Sequence, residues 1–164
     1  RQSIYYAGQR KFAWIKYKKA MSKKLLDTVD CLVMGYYFGR GKRNQFGIGA
    51  FLVGIYDKEK EKFLTVAKIG TGLTDEQWRE LKQKADALKT KQPPKNYLVP
   101  KELTPDVWLN PELVVEIAAD EISRSPIHAC QFALRFPRLT RFREKNPEDV
   151  TTIEEIKKLY QAQR

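Results

Sequence analysis

Four arginines alternate with apolar residues near the C-terminus, in the stretch ALRFPRLTRFREKN at residues 133–146. These arginines are Arg135, Arg138, Arg141 and Arg143. A guanidinium group binds phosphate through two parallel hydrogen bonds, and an apolar residue between arginines can lie against a sugar or wedge at a base step. In a regular strand successive side chains point to opposite faces, so Arg141 and Arg143 should share a face while Arg135 faces opposite to Arg138. The stretch therefore indicates a phosphate-binding surface.

Two interpretations of this stretch remain open from the sequence. The chain has 164 residues and a formal net charge of +11, and so basic a surface attracts polyanions, of which nucleic acid is the first candidate. The alternative is an edge strand whose arginines pair with acids such as Asp120 and Glu121, in a basic domain without a nucleic-acid partner. The net charge favours phosphate contact.

A second basic group lies near the N-terminus. Residues 12–18, FAWIKYK, alternate in the manner of a strand, and Arg10 precedes them. Lys16 and Lys18 fall on one face beside an aromatic residue, where they could neutralise the phosphate of a bound nucleotide as point charges. The alternative, which the spacing alone favours, is an amphipathic surface strand with solvated lysines.

A third basic group is the Gly- and Arg-rich turn GRGKRNQFG at residues 39–47. Its glycines allow the backbone to approach a ligand closely. Arg40, Lys42 and Arg43 would then meet a nucleic-acid backbone. A solvated hairpin loop fits the same residues equally well.

Composition excludes several other classes of protein. Apolar residues make up 42% and charged residues 31% of the chain, which is typical of a folded protein. The longest nearly apolar run, residues 46–56, is too short to span a bilayer, and no signal-peptide pattern is present. Cys31 and Cys130 lie in apolar contexts typical of buried free thiols in a reducing compartment, and His128 lacks neighbours at metal-ligand spacing. The chain begins at Arg1 and moves straight into patterned sequence, which suggests a piece of a longer protein.

The spacing of apolar residues predicts the elements that must position these basic groups. Beyond residue 26, the predicted strands are residues 27–38, 48–57, 63–72, 113–119 and 131–143, and the predicted helices are 74–88 and 153–163. Thr74 and Gln77 form a capping-box pattern, and Thr151 or Thr152 caps the last helix. Pro137 lies inside the last strand run and should mark an edge or a bulge, because proline cannot donate to a sheet ladder.

Three strands, a helix and two more strands predict a mainly β fold with α-helix. The count is that of a five-stranded Greek-key OB-fold barrel with an internal helix and a C-terminal helix, although SH3-like and other small barrels fit nearly as well. Residues 18–24, KKAMSKK, are basic and weakly patterned, as expected of a linker. A fold of this kind does not by itself decide a function.

In chain order, these segments resemble the C-terminal part of ATP-dependent DNA ligases. AGQRKFAWIKYKK resembles the family's motif V region, in which an arginine is followed six residues later by the first lysine of W-[LI]-K-x-K, here Arg10 and Lys16. The hydrophobic strand with GRGKR, then GAFLVGIYD, AKIGTGLTDEQW and VWLNPELVVEIAADEISRSP, are similar to the family's OB domain. LRFPRLTRFRE resembles motif VI, and TTIEEIKKLY resembles the closing helix. Each motif alone is weak, but the ordered set covers essentially the whole chain.

The resemblance implies a division of the chain and a chemistry. Residues 1–18 would be the C-terminal strand of the nucleotidyltransferase domain, residues 19–26 a hinge linker, and residues 27–164 the OB-fold DNA-binding domain. Ligases of this family transfer AMP from ATP to a lysine and then to the 5′-phosphate of a nick, after which the 3′-hydroxyl displaces AMP. That lysine lies in a K-x-D-G motif, which this sequence lacks, so the chain alone is expected to be inactive.

The resemblance also implies cofactors and partners. ATP is the cofactor, with Mg²⁺ implied by the family although no Mg²⁺ ligands are evident in the sequence. The expected partners are nicked duplex DNA and ATP or AMP, without a membrane. The protein is expected to be a monomer in the cytoplasm or nucleoid, or in the nucleus if eukaryotic.

By resemblance, roles fall on particular residues. The catalytic residues would be Lys16 and Lys18; the ATP-binding residues Arg10, Lys16, Lys18, Arg141, Arg143 and Lys145; and the DNA-binding residues Arg40, Lys42, Arg43, Arg138, Leu139 and Arg141. Lys18 would support phosphate charge as AMP transfers. Leu139 stands where the family commonly has an aromatic. Lys145 is the best match for a lysine in an end that reads REKNPED in place of R-E-D-K.

Two other functions fit parts of the pattern. A non-catalytic OB-fold module could bind single strands by stacking bases on Tyr36, Tyr37 and Phe38, although packing within a buried strand fits these residues better. An mRNA-capping enzyme also joins a nucleotidyltransferase domain to an OB domain. The GRGKR and RFPR contexts favour a ligase by resemblance.

Overall fold

The computed structural model describes residues 28–39 and 46–163, which form a curled β-sheet with two α-helices. In chain order the elements are β1 (Val29–Tyr37), β2 (Ala50–Asp57), β3 (Lys62–Ile69), α1 (Asp75–Asp86), β4 (Lys89–Thr90), β5 (Tyr97–Leu98), a 3₁₀ turn (Lys101–Leu103), β6 (Val107–Leu109), β7 (Val114–Ala118), β8 (Glu121–Arg124), β9 (Phe132–Arg135), β10 (Arg138–Arg143), a second 3₁₀ turn (Pro147–Asp149) and α2 (Ile153–Ala162). The predicted strand at 12–18 and the predicted hinge at 19–26 lie outside the described residues.

The long strands have the order of a Greek key. β1, β2 and β3 form an antiparallel meander, and β7 returns to pair with the free side of β1. β10 then pairs antiparallel with β7, so the sheet order is β10-β7-β1-β2-β3-β5. Three consecutive strands with a fourth beside the first define this topology. The described fold is the predicted OB-fold with its two helices.

Each face of the sheet carries a hydrophobic cluster. On the inner face, residues such as Val33, Phe51 and Ile117 belong to one buried cluster with Trp78 and Leu81 of α1. On the outer face, a smaller cluster is formed by residues of β1, β2, β3, β5 and β7, by the first 3₁₀ turn and by the residue after the second: Leu32, Met34, Leu52, Tyr56, Phe63, Tyr97, Leu103, Val114 and Val150. Burial on both faces explains why β1 and β2 read as nearly continuous apolar runs.

Both helices begin at the capping residues expected from the sequence. The Thr74 hydroxyl accepts from the Gln77 backbone N–H, and the Gln77 side chain accepts from the Thr74 backbone. Thr152 and Glu155 make the same reciprocal pair at α2, which decides between the two predicted caps. These bonds satisfy backbone donors that a helix N-terminus leaves free.

The prediction of one continuous last strand is wrong. Residues 131–143 form two strands with different neighbours, because β9 pairs with β8 and β10 pairs with β7. Between them, Phe136 adopts a left-handed φ of 54°, and Pro137 follows. Proline thus stands immediately before the edge strand. The short strands β4, β5, β6 and β8 were not predicted, since two to four residues carry too little periodicity to be recognised.

Candidate phosphate-binding site

A β-bulge in β10 brings three arginines to one face of the sheet. Arg138 lies opposite Ala118, Arg141 opposite Glu116 and Arg143 opposite Val114, with a register shift between Leu139 and Arg141. The extra residue shifts the alternation by one position. The prediction that Arg141 and Arg143 share a face is confirmed, and Arg138 joins them, whereas Arg135 lies on β9 in the other sheet.

Glu116 on β7 holds two of these arginines through one carboxylate oxygen. Arg141 donates to Glu116 Oε1 from Nε at 3.3 Å and from Nη2 at 3.2 Å, and Arg143 Nη1 donates to the same oxygen at 2.9 Å. The other oxygen accepts the Thr140 hydroxyl. The side chain of Glu116 is only 13% exposed, whereas that of Arg141 is 63% exposed.

Asp30 on β1 extends this arrangement to the end of the basic stretch. Its carboxylate lies 3.7 Å from Arg143 Nη1 and 2.7 Å from Lys145 Nζ. The Asp30 backbone is fixed in turn by Thr151, whose hydroxyl accepts from Asp30 N and whose backbone N–H donates to Asp30 O. Lys145 therefore occupies a defined place beside Arg143, despite the departure of REKN from the family's usual ending.

We call this alternating set of cations and acids the charge ladder; its members are Arg141, Glu116, Arg143, Asp30 and Lys145. The Thr140 hydroxyl, together with the two guanidinium groups, holds the pKa of Glu116 below its ordinary value despite burial, which acts in the opposite direction. Glu116 is thus a carboxylate at neutral pH. Three cations and two acids leave the ladder with one excess positive charge, available to an anion.

A second arrangement lies where β9 meets β10. Phe136 is 66% exposed, and the guanidinium of Arg135 lies 5.6 Å from the centre of its ring. Arg138 donates to Asp120 Oδ1 at 3.0 Å and to the Phe136 carbonyl at 2.9 Å. We call Arg135, Phe136, Pro137 and Arg138 the corner. Gly72, with φ of +84°, packs against it so closely that a Cβ there would lie 2.6 Å from Arg138 Cβ.

The acid-pairing interpretation of the arginines is confirmed in part. Asp120 pairs with Arg138 as that interpretation expected, but the acids that hold Arg141 and Arg143 are Glu116 and Asp30. Sequence reasoning did not single out these two. The feature that could have identified them is a lone acid within an apolar strand, as in VDCLV and VVEIA.

Leu139 lies in the inner core. It is 5% exposed and belongs to the cluster beneath α1, and its carbonyl accepts a hydrogen bond from the Gln77 side chain at 3.4 Å. A side chain so buried cannot reach DNA without movement of β10. The exposed apolar residue of this stretch is Phe136.

The other predicted site residues lie outside the described residues. They are Arg10, Lys16, Lys18, Arg40, Lys42 and Arg43. Of the proposed stacking residues, Tyr36 is buried and bonds Asp86, and Tyr37 donates to the Leu103 carbonyl. Phe38 is exposed.

Comparison with known proteins decides the family. The family model described as the ATP-dependent DNA ligase C-terminal region matches residues 44–146. This chain belongs to that ligase family. The matched range includes the corner and four members of the charge ladder: Glu116, Arg141, Arg143 and Lys145.

Individual ligases align along nearly all of this family member. A probable DNA ligase of Dictyoglomus thermophilum is 47% identical over 98% of the chain. DNA ligases of Caldivirga maquilingensis and Sulfophobococcus zilligii are 41% and 42% identical over 99% of it. The chain spans 29% of the first relative's length and 28% of the other two.

Solved ligase structures share the fold. The crystal structure of the ligase domain from M. tuberculosis LigD aligns with a TM-score of 0.60 at 24% identity, over 76% of this ligase-family chain and 38% of that chain. A mycobacterial DNA ligase D complexed with ATP and MES aligns with a TM-score of 0.56 at 24% identity, covering 76% of this chain and 37% of that one. At this identity the likeness establishes the fold.

The described residues do not fit the Mg²⁺ that the ligase family implies. Across residues 28–39 and 46–163, no three His, Cys, Asp or Glu side chains are grouped so that they could hold a metal ion. The acids of the ladder are already engaged by cations. In the same part of the chain, no helix is long and apolar enough to cross a membrane.

Proposed function

We propose that this chain is the OB-fold end of an ATP-dependent ligase that seals nicks in duplex DNA through lysyl-AMP and DNA-adenylate intermediates. The observation that carries the proposal is the alignment of Arg138, Arg141, Arg143 and Lys145 along one edge strand and its continuation, beside an exposed phenylalanine. Family membership supports the same chemistry. Residues 1–18 would complete the nucleotidyltransferase domain, and residues 19–26 would be the hinge between it and the OB domain.

The ladder and the corner suit different anions. Arg141, Arg143 and Lys145 lie close together with one excess charge, which suits the compact phosphates of ATP during lysine adenylation. Lys16 and Lys18, with Arg10, would act on the same nucleotide from the other domain. A swivel at the hinge would then bring the DNA-binding surface to the nick.

The corner supports the DNA-binding role. Arg138 can reach a backbone phosphate, since its pair with Asp120 is exposed and therefore weak. The exposed Phe136 ring can lie against a sugar or wedge at a base step in the minor groove. Arg141, with its exposed side chain, could contact either anion. Arg40, Lys42 and Arg43 would add backbone contacts.

The binding proposal is tested with Arg138→Ala in the complete ligase. Binding to nicked duplex should weaken roughly tenfold at low salt, and the slope of log K against log salt should flatten by about one phosphate contact. Arg124→Ala is the matched control, because Arg124 lies at the far end of the β8–β9 hairpin from Arg135 and should have little effect. Unchanged affinity at low salt for Arg138→Ala would contradict the DNA role.

Two further measurements separate the remaining alternatives. Residues 1–164 incubated with labelled ATP should form no stable protein–AMP adduct, since K-x-D-G is missing from the sequence; an adduct would contradict the expected inactivity. The complete ligase should prefer nicked duplex to single strands. A clear preference for single strands would favour the non-catalytic binding module, with Phe38 as its exposed aromatic.

A further inference from the structure

The charge ladder contains two acids whose negative charge opposes phosphate binding, Glu116 and Asp30, and Glu116 is the one that bonds both arginines. The Glu116 side chain is also the least exposed of the ladder, and both oxygens of its carboxylate accept hydrogen bonds. An acid that merely neutralised surface arginines would not need this degree of enclosure. Its geometry points to a role in holding the arginines.

The bonds of Glu116 leave the outer part of each guanidinium free. Arg141 uses Nε and Nη2 on a single carboxylate oxygen, whereas a guanidinium has five N–H donors in a fixed planar fork. Within residues 28–39 and 46–163, the Nη1 edge of Arg141 thus remains available, on a side chain that is mostly exposed. In the same part of the chain, Arg143 is held through its Nη1, which leaves its remaining donors available.

The acid itself is held firmly by the sheet. Glu116 lies in the middle of β7, between β1 and β10. The Thr140 hydroxyl, at the bulge, lies within hydrogen-bonding distance of both the backbone carbonyl and the carboxylate of Glu116, at 3.0 Å and 2.5 Å. The bulge that aligns the arginines therefore also supplies the group that orients their acid.

We propose that Glu116 is a positioning residue for lysine adenylation, which holds Arg141 and Arg143 with their free N–H groups directed at the phosphates of ATP. The inference rests on the proposed function, because it assumes that these arginines meet ATP. Glu116 touches no substrate in this scheme and acts through the two arginines.

Removal of the Glu116 charge has two opposite consequences. The arginines lose their fixed orientation, which lowers the rate of a step that depends on accurate placement of charge. The ladder also loses a negative charge near the phosphates, which favours binding of the anion. A positioning role therefore predicts a lower rate without weaker ATP binding, whereas disruption of the fold would impair both.

The test uses the complete ligase with Glu116→Gln, which keeps the shape of the side chain but removes its negative charge and replaces one acceptor oxygen by an NH₂ donor. The rate constant of self-adenylation at saturating ATP should fall roughly tenfold, while the half-saturating ATP concentration should stay the same or fall. Sealing of a nick that already carries AMP should fall less than self-adenylation, because that reaction uses no ATP. Glu80→Gln, in an exposed helical ion pair with Lys84, is the matched control and should behave as wild type.

A double-mutant cycle tests whether Glu116 acts through Arg141. Arg141→Lys keeps the charge but loses the fork, so it should lower the adenylation rate, and the double variant should be little slower than the slower single variant. Multiplicative losses would overturn the proposal. So would a normal adenylation rate in Glu116→Gln, or a higher half-saturating ATP concentration with a normal rate.

Two further variants cover a failure of Glu116→Gln to fold and separate the positioning role from the ATP-binding role. If Glu116→Gln does not fold, Thr140→Val removes the hydroxyl that orients the carboxylate and should cause a smaller fall in the same rate constant; a normal rate would overturn the inference. Arg141→Ala separates the two levels of the proposal. Normal adenylation in Arg141→Ala would contradict the ATP role of that arginine itself, whereas impaired Arg141→Ala with normal Glu116→Gln would contradict only the positioning role.

Discussion

The charge ladder and the corner belong to one short stretch of chain, yet they present their cations differently. In the ladder, Arg141 and Arg143 are tied to a nearly buried glutamate. In the corner, Arg138 makes one exposed pair, and Phe136 projects from a left-handed backbone position. The difference suggests a rigid receptor for a small anion beside an adaptable contact for a long one.

The physical basis of the difference is the neighbouring strand. β7 continues beneath the ladder and supplies Glu116, with Asp30 of β1 behind it. At the corner the chain enters this sheet, and Asp120 and the Gly72 turn lie alongside. Arg141 and Arg143 contact Glu116 in the middle of β7, whereas Arg138, the first residue of β10, lies opposite Ala118 and remains more accessible.

The largest expected effect comes from Leu139→Ala, which should destabilise the charge ladder and the corner together. Leu139 anchors β10 in the inner core between Arg138 and Arg141, and truncation of a buried leucine costs about 3 kcal/mol of the free energy of unfolding. Chemical denaturation of the domain measures this loss. A cost below about 1 kcal/mol would show that β10 is not anchored there.

A change at Phe136 should affect only the corner. Phe136→Gly removes the ring and relieves the left-handed backbone, so binding to nicked duplex should weaken roughly tenfold while stability stays level or rises by about 0.5 kcal/mol. Self-adenylation should be unchanged. Equal losses in DNA binding and adenylation would erase the distinction between the two regions.

The acid stability of the domain should reflect the ladder. Because the folded pKa of Glu116 is below its ordinary value, the resulting stability is fully present above the unfolded pKa of about 4.5 and is lost as pH falls through the folded pKa. Glu116→Gln should therefore flatten the decline of stability below that pH in acid unfolding experiments. An identical decline in both proteins would show that the ladder contributes nothing to acid stability.

The smallest expected effect is that of Asp120→Asn. Its pair with Arg138 is exposed on both sides, and such pairs are worth about 0.5 kcal/mol. Thermal unfolding should change little, while DNA binding at low salt should strengthen slightly because Arg138 is released. Weaker DNA binding would indicate that Asp120 orients Arg138 as Glu116 orients Arg141.

Local signals made much of the fold predictable. The capping pairs at Thr74 and Thr152 are hydrogen bonds between residues three positions apart, so a short sequence pattern identifies them. The meander of β1 to β3 follows from β-rich runs separated by turns. The basic stretch and its resemblance to a ligase motif likewise indicated phosphate contact before the fold was known.

The arrangement of the site was less predictable because it depends on residues distant in sequence. Simple alternation places Arg138 and Arg141 on opposite faces, and the bulge at Thr140 reverses this. The resemblance to a ligase motif implied Leu139 as a DNA contact, and the same shift in register places it in the core, on the opposite face from Arg141.

The sequence by itself determined the β-rich architecture, the helix starts, the strongly basic surface and the membership of a ligase family. Tertiary structure alone decided which cations act together. Glu116 and Asp30 are 25 and more than 100 residues from the arginine and lysine that they hold, and only the pairing of β10, β7 and β1 brings them within hydrogen-bonding distance. Sheet register is a long-range property, because one extra residue in one strand transfers every later side chain to the other face.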